Sequence, residues 1–313
     1  MVENDVEDVS GYGMPLTESG VKEAEDELAP VVFKCPIDHS GGTAYLKGWL
    51  TENSPFPPVV MVHDLGEGVK LYRGLAQSLK SLGFSVYCFD LRGHGRSGHI
   101  LGHSPSFDCL VKDLLQIVSW VRFKSDRKVP IVLSQGVGSM ITTYFLEVYP
   151  DYAKYSISIA PVFKLGPAIS LPIKVAIRIV AEMLPRLKLP RSLSQRMLTF
   201  GWLSSSKAQQ KFQHLSFGLA RELMNASEDL PSQFIRVTHE ALIIIPQQVP
   251  HYDAITLKNL VAQHPLKDRL TLIEVGNIGA HPLTEPKERQ VVLDSIIPWL
   301  EEKLSCQLKT KVP

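Results

Sequence analysis

Pro130-Ile131-Val132-Leu133-Ser134-Gln135-Gly136-Val137-Gly138-Ser139 is the stretch that decides the fold. A short apolar run ends at Leu133, glycines stand on both sides of Val137, and a helical stretch covers Ser139–Val148. Short unbroken apolar runs are the mark of strands buried on both faces. The same grammar recurs on either side. Pro58–Val62 and Phe84–Phe89 read as earlier strands, with helices at about Val69–Leu82 and Phe107–Arg122, and Tyr155–Ala160 reads as the next strand. Strand alternating with helix implies a parallel sheet with helices on both faces.

Outward from that centre, two extended runs, Val31–Cys35 and Thr43–Leu50, open the fold. The alternation stops at about residue 161 and resumes with strand Ala241–Ile245. A helix near Ala254–Gln263, a strand at Leu270–Val275 and a helix over Lys287–Leu304 complete it. The predicted organisation is a tail over 1–30, an α/β core over 31–160 and 239–313, and a helical insertion over 161–238. No internal repeat is visible.

Hydrophobic residues make up 44% of the 313 and charged residues 21%, which excludes a disordered chain, a collagen or a disulfide scaffold. No apolar run approaches the ~18–20 residues of a membrane span, and the start lacks a secretory signal. Cys35, Cys88, Cys109 and Cys306 form no C-x-x-C pair and read as reduced thiols of a cytoplasmic protein.

Net charge is +1, unevenly spread. Residues 1–30 carry nine acids against Lys22, a net of −8, and the remainder carries +9. The segment reads as a flexible, solvated acidic tail, with an arm folded over a basic patch of its own chain as the sharper alternative. Residues 161–200 hold seven bases against Glu182. Within Leu171–Leu184 the charges Lys174, Arg178 and Glu182 fall on one stripe, and the rest of the helix is apolar, including Ile177 and Met183. Such a helix lies either between two packed layers or at an interface.

Four segments carry a resemblance. They are His63-Asp64-Leu65-Gly66-Glu67-Gly68 with Tyr72, Asp90-Leu91-Arg92-Gly93-His94-Gly95-Arg96-Ser97, the Ser134–Ser139 turn, and Gly279-Ala280-His281-Pro282. In this order they resemble the α/β-hydrolase fold, and within it the monoacylglycerol lipase and lysophospholipase branch. There the corresponding patterns are H-G-x-G-E-x-S-x-x-Y, D-x-R-G-H-G-x-S, G-H-S-M-G-G and a late G-x-x-H. The resemblance covers about residues 31–304. It implies an α/β-hydrolase core, a cap over 161–238 that covers an acyl pocket and touches membranes, and a loop in which Asp90 and Arg92 hold neighbouring turns.

It also implies a serine on the strand-to-helix turn, a histidine base, an orienting acid and two backbone N–H groups for the oxyanion. The serine position is Gly136. Ser134, at the strand end, and Ser139, inside the helix, stand on either side of it and read as small residues filling tight space. His281 matches the family histidine. The acid position falls on Val249 or Pro250, and Asp253, about three residues later, reads rather as a cap of the next helix. The oxyanion-hole positions are Leu65 and Val137. Asp64 replaces the motif glycine and brings a carboxylate to where negative charge would develop, unless it points to solvent. Asp64, Ile177 and Met183 are the candidate ligand-contacting residues.

His99 and His103 stand at i, i+4 but in a glycine-rich loop with no acid between, so no metal is assigned. No cofactor is implied: there is no Walker loop and no G-x-G-x-x-G after the first strand. Nucleic acid is not an expected partner, because no aromatic–basic interleaving accompanies the charge. The expected protein is a catalytically inactive relative of a lipid-ester hydrolase. It would bind an acyl lipid or other hydrophobic small molecule, or a protein partner, and reach an anionic membrane surface through its basic cap. The alternatives are an active ester hydrolase with a relocated nucleophile and an engineered Gly136.

Overall fold

The computed structural model describes residues 30–37, 42–98, 100–163, 169–198, 214–247, 254–276, 283 and 286–305. The acidic tail, His99, Asp253 and His281 lie outside the described residues. In chain order the elements are β1 (Val31–Pro36), β2 (Thr43–Trp49), β3 (Val59–Val62), a 3-10 turn at Val69–Tyr72, α1 (Arg73–Ser81), β4 (Val86–Phe89), α2 (Phe107–Lys124), β5 (Ile131–Gln135), α3 (Val137–Val148) and β6 (Tyr155–Ile159). Then come α4 (Leu171–Met183), α5 (Arg191–Leu198), α6 (Phe217–Arg236), β7 (Ala241–Pro246), α7 (Ala254–Gln263), β8 (Leu270–Val275) and α8 (Pro286–Leu304).

The eight strands form one sheet in the order β1-β2-β4-β3-β5-β6-β7-β8. β2 runs antiparallel to both neighbours, and the remaining pairs are parallel. Alternate side chains serve opposite faces. Val60, Val62, Val132 and Ile243 face the core shared with α2, α3, α6 and α7. Met61, Leu133, Ile157 and Leu242 face the core shared with α1 and α8. This is the expected α/β-hydrolase architecture, and it aligns the carboxyl ends of β3, β4 and β5 along one edge of the sheet.

At the deciding stretch the element bounds shift. β5 runs two residues past Leu133, and α3 begins at Val137. Gly136 alone makes the turn, at φ 55° and ψ −122°, a conformation in which an L side chain is strained. Gly138 supports the turn from below. A Cβ there would meet the carbonyl oxygens of Val62 and His63, so only a glycine lets α3 sit this close to the end of β3.

Between β6 and β7, α4 packs against α6. α4 buries only Ile177 and Ala181. Arg178 is bonded to Glu228 at 2.7 Å, and Glu182 to Arg221 at 2.9 Å. The polar stripe therefore turns toward α6. The apolar positions Leu171, Val175, Ile179 and Met183, each four residues from the last, are left exposed.

Candidate functional site

β3 ends at Val62, and the next two residues turn into the space beside Gly136. His63 is fully buried and spans two chain segments. Its Nε2 accepts the N–H of Leu91 at 2.9 Å, which leaves Nδ1 protonated to donate to the carbonyl of Asp64 at 2.6 Å. Both nitrogens are used only in the neutral form, and burial lowers the pKa of this imidazole. His94 packs edge-on to His63, with ring centroids 5.3 Å apart. Burial and that neighbour push its pKa down to about 3.

The Asp64 main chain is braced further. Its N–H donates to Glu67 Oε2 at 3.2 Å and to Tyr72 Oη at 3.3 Å, and the Tyr72 hydroxyl donates to Glu67. Gln135, the last residue of β5, donates from Nε2 to Glu67 Oε1 at 3.4 Å. Glu67 thus ties the loop after β3 to the loop after β5.

Held this way, Asp64 does not point to solvent; it is 1% exposed. Its Oδ1 accepts the backbone N–H of Leu65 and that of Val137, each at 2.7 Å. These are the two amides expected at the oxyanion-hole positions, brought together on a single carboxylate oxygen. The carboxylate also takes the volume beside the turn. A Cβ built on Gly136 would overlap all three of its outer atoms.

The other sequence candidates are placed as follows. Ser134 is fully buried within β5, and its hydroxyl faces the carbonyl of Ile157 at 3.4 Å. Ser139 is buried in the first turn of α3. Among the described residues neither hydroxyl is bonded to an imidazole. Ile177 is buried in the core that includes α6, while 78% of Met183 is exposed, so the two have different surroundings. His103 is bonded to Ser216 Oγ at 2.8 Å, where Ser216 caps α6. Among the described residues no group of acids, histidines and cysteines is arranged to hold a metal.

The Asp90–Ser97 loop behaves as the resemblance implies. Asp90 accepts the N–H groups of Val69 at 2.7 Å and Arg96 at 2.8 Å. Arg92 makes a buried bidentate pair with Asp113 of α2, at 2.8 and 2.6 Å. Residue-level reading missed the bracing of Asp64 by Glu67, Tyr72 and Gln135. The signal was available, because Glu67 and Tyr72 are both motif positions.

The comparisons with known proteins agree with this fold. Residues 53–250, more than half of the chain, match the family described as serine aminopeptidase, S33, and the chain belongs to that family. A monoacylglycerol lipase of Mycolicibacterium smegmatis is 24% identical over 82% of this chain and 92% of its own. Among solved structures, a thermostable carboxyl esterase of Bacillus coagulans superposes with a TM-score of 0.74 at 14% identity, covering 88% of this chain and 98% of its own. A soluble variant of the Saccharomyces cerevisiae monoglyceride lipase, in complex with a substrate analogue, gives 0.72 at 17% identity, covering 88% and 96%.

Proposed function

We propose that this member of the serine aminopeptidase S33 family is a non-hydrolytic relative of the monoacylglycerol lipases that binds an acyl lipid. One observation carries the reading: the Asp64 carboxylate accepts both amides that an ester carbonyl would need and fills the volume that a side chain at 136 would enter. Hydrogen bonds to a charged acceptor contribute about 1.5–3 kcal/mol each. A developing oxyanion would have to displace a carboxylate already bound there, or form against its charge. Gly136 supplies no nucleophile, and Ser134 and Ser139 are buried, with neither hydroxyl bonded to an imidazole among the described residues.

The reading predicts no adduct with a fluorophosphonate by intact mass, and no p-nitrophenyl ester turnover above that of a heat-denatured sample. A stoichiometric adduct on Ser134 or Ser139 would overturn it. Removing the serine of a triad enzyme costs roughly a million-fold in turnover, so the assay window is wide.

The same proposal assigns α4 to an anionic membrane surface. Leu171, Val175, Ile179 and Met183 form its apolar side, and the exposed residues Arg186, Lys188 and Arg191 follow. No helix among the described residues is long and apolar enough to cross a membrane, so contact would be peripheral. Each base near such a surface contributes about 1 kcal/mol, falling with salt. Co-sedimentation with anionic vesicles should exceed that with neutral vesicles and drop for Ile179→Ser/Met183→Ser. Equal binding to both vesicle types removes the electrostatic part of the proposal. Met183 then belongs to the membrane side, and Ile177 to the packing beneath it.

A further inference from the structure

The edge of the sheet opposite the site carries a second arrangement. β1 runs in the same direction as β3 to β8, so Val31 lies at the amino edge, with Gly48 and then Tyr87 beside it. α2 ends at this edge against β1: the rings of Phe33 and Trp120 are 5.0 Å apart. The end of α2 and the turn after it hold Arg122, Lys124, Arg127 and Lys128 against one acid, Asp126. The carboxyl end of a helix offsets about half a charge; Arg122 lies over the Tyr152 ring, Lys124 over the Trp120 ring and Lys128 donates to the carbonyl of Ser54, and none of the four bases is in an ion pair among the described residues. Beside it lies a groove of about 750 Å3 lined by Lys128, Lys154 and Arg269, together with Asp151 and with Glu240, which is paired to Lys303 at 3.0 Å.

Apolar surface is exposed at the same place. Val31 shares a strand face with Phe33, and Phe123 lies one turn beyond Trp120; they are 46% and 58% exposed. The chain enters β1 here from residues 1–30, which carry nine acids against one base, with Glu23, Glu25, Asp26 and Glu27 nearest the strand.

We infer that the acidic leader docks on its own chain at this edge. Glu23, Glu25, Asp26 and Glu27 supply the charge that complements the basic end of α2, and Leu28 and Val21 supply apolar side chains that complement the exposed Val31 and Phe123. The distances allow it. Glu27 and Glu23 lie four and eight residues before Val31, a reach of about 13 and 27 Å. The groove begins at β5, four strand spacings from β1, about 19 Å. Charge complementarity and the point of entry select the leader over an outside partner. A segment lying there also shields the outermost strand, β1, from pairing with another chain.

Zero-length carbodiimide cross-linking of the full chain, read by mass spectrometry on an equal mixture of 14N and 15N protein, tests this. Amide links from Glu23, Glu25, Asp26 or Glu27 to Lys124 or Lys128 within one chain are expected at low salt. They should fall at least fivefold in about 0.5 M salt, where the screening length is under half its value at 0.1 M. Hydrogen exchange over 119–128 should rise in the variant Glu23→Gln/Glu25→Gln/Asp26→Asn/Glu27→Gln, which alters no described residue. The variant Lys124→Glu/Arg127→Glu should give the same rise from the other side. Links spread over all exposed lysines without salt dependence, links only between 14N and 15N chains, or no links at all would each overturn the proposal.

Discussion

Asp64 and Asp90 stand just past the ends of neighbouring strands, β3 and β4, and their side chains are used alike. Each is buried and accepts two backbone N–H groups, Leu65 and Val137 for one, Val69 and Arg96 for the other. Each also presses on a glycine in the left-handed region, Gly136 at φ 55° and Gly95 at φ 50°, where a Cβ would overlap the carboxylate. The difference is where the glycine lies. Asp90 and Gly95 share one loop. Asp64 and Gly136 come from different strands and meet across the sheet edge. The Asp64 carboxylate and the Gly136 turn thus form a clasp, built as the neighbouring loop at Asp90 is built.

The comparison can be broken most forcefully at Asp90. Asp90→Ala leaves one buried and one partly buried N–H group, those of Val69 and Arg96, without their charged acceptor, and about 2–4 kcal/mol of stability should be lost. Urea unfolding measures it; a loss below 1 kcal/mol would mean that the carboxylate is not what holds the loop.

The clasp at Asp64 is tested by adding a side chain opposite it. Gly136→Ser should destabilise by about 2–3 kcal/mol, through the strained backbone and the overlap with Asp64. It should not restore ester turnover. In Asp64→Gly/Gly136→Ser the overlap is gone, and about 1–3 kcal/mol should return as a non-additive term in a double-mutant cycle. Additivity of the two changes would refute the clasp. Turnover of monoacylglycerol by Gly136→Ser alone at ordinary enzyme rates, ~1 s⁻¹ or more, would refute the proposed inactivity.

A smaller effect separates the imidazoles from the carboxylates. His63 and His94 are held neutral, with pKa values below the ordinary 6.5. Below that pH the unfolded chain takes up protons that the folded chain refuses. Stability is thus fully present above about pH 6.5 and declines on acidification, by at most about 1.4 kcal/mol per pH unit for each histidine. Unfolding midpoints between pH 7 and 5 should show this slope, and His94→Asn should remove one histidine's share. A flat profile would show that the histidines are not kept neutral by the fold.

Much of this was legible in the sequence because burial on both faces leaves strands as bare apolar runs. The strands read at Pro58–Val62 and Ala241–Ile245, observed at Val59–Val62 and Ala241–Pro246, needed only that rule. The structural role of Asp90 came from the family resemblance, and the structure adds that its glycine partner, Gly95, lies in the same loop. The direction of the Asp64 side chain was not legible. It depends on His63, Glu67 and Tyr72 fixing the Asp64 main chain, and on vacant space at a glycine from another strand. The orientation of α4 was also hidden. Its sequence is apolar nearly all round, and only the pairs with Glu228 and Arg221, on a helix the sequence did not delimit, decide which side faces outward.

The overlap between the Asp64 carboxylate and any side chain at 136 also imposes an order on inheritance. Starting from the family pattern, glycine at 64 and serine at 136, a change to aspartate at 64 meets an occupied space and is penalised. A change to glycine at 136 is sterically free, and aspartate can then enter the space it leaves. If this chain arose from that pattern, as the proposed function has it, the change at residue 136 comes first on the way here, and the change at residue 64 comes first on the way back. A lineage that has taken both steps cannot regain its serine by a single reversion without losing stability. The pair acts as a ratchet, and neither position registers that on its own.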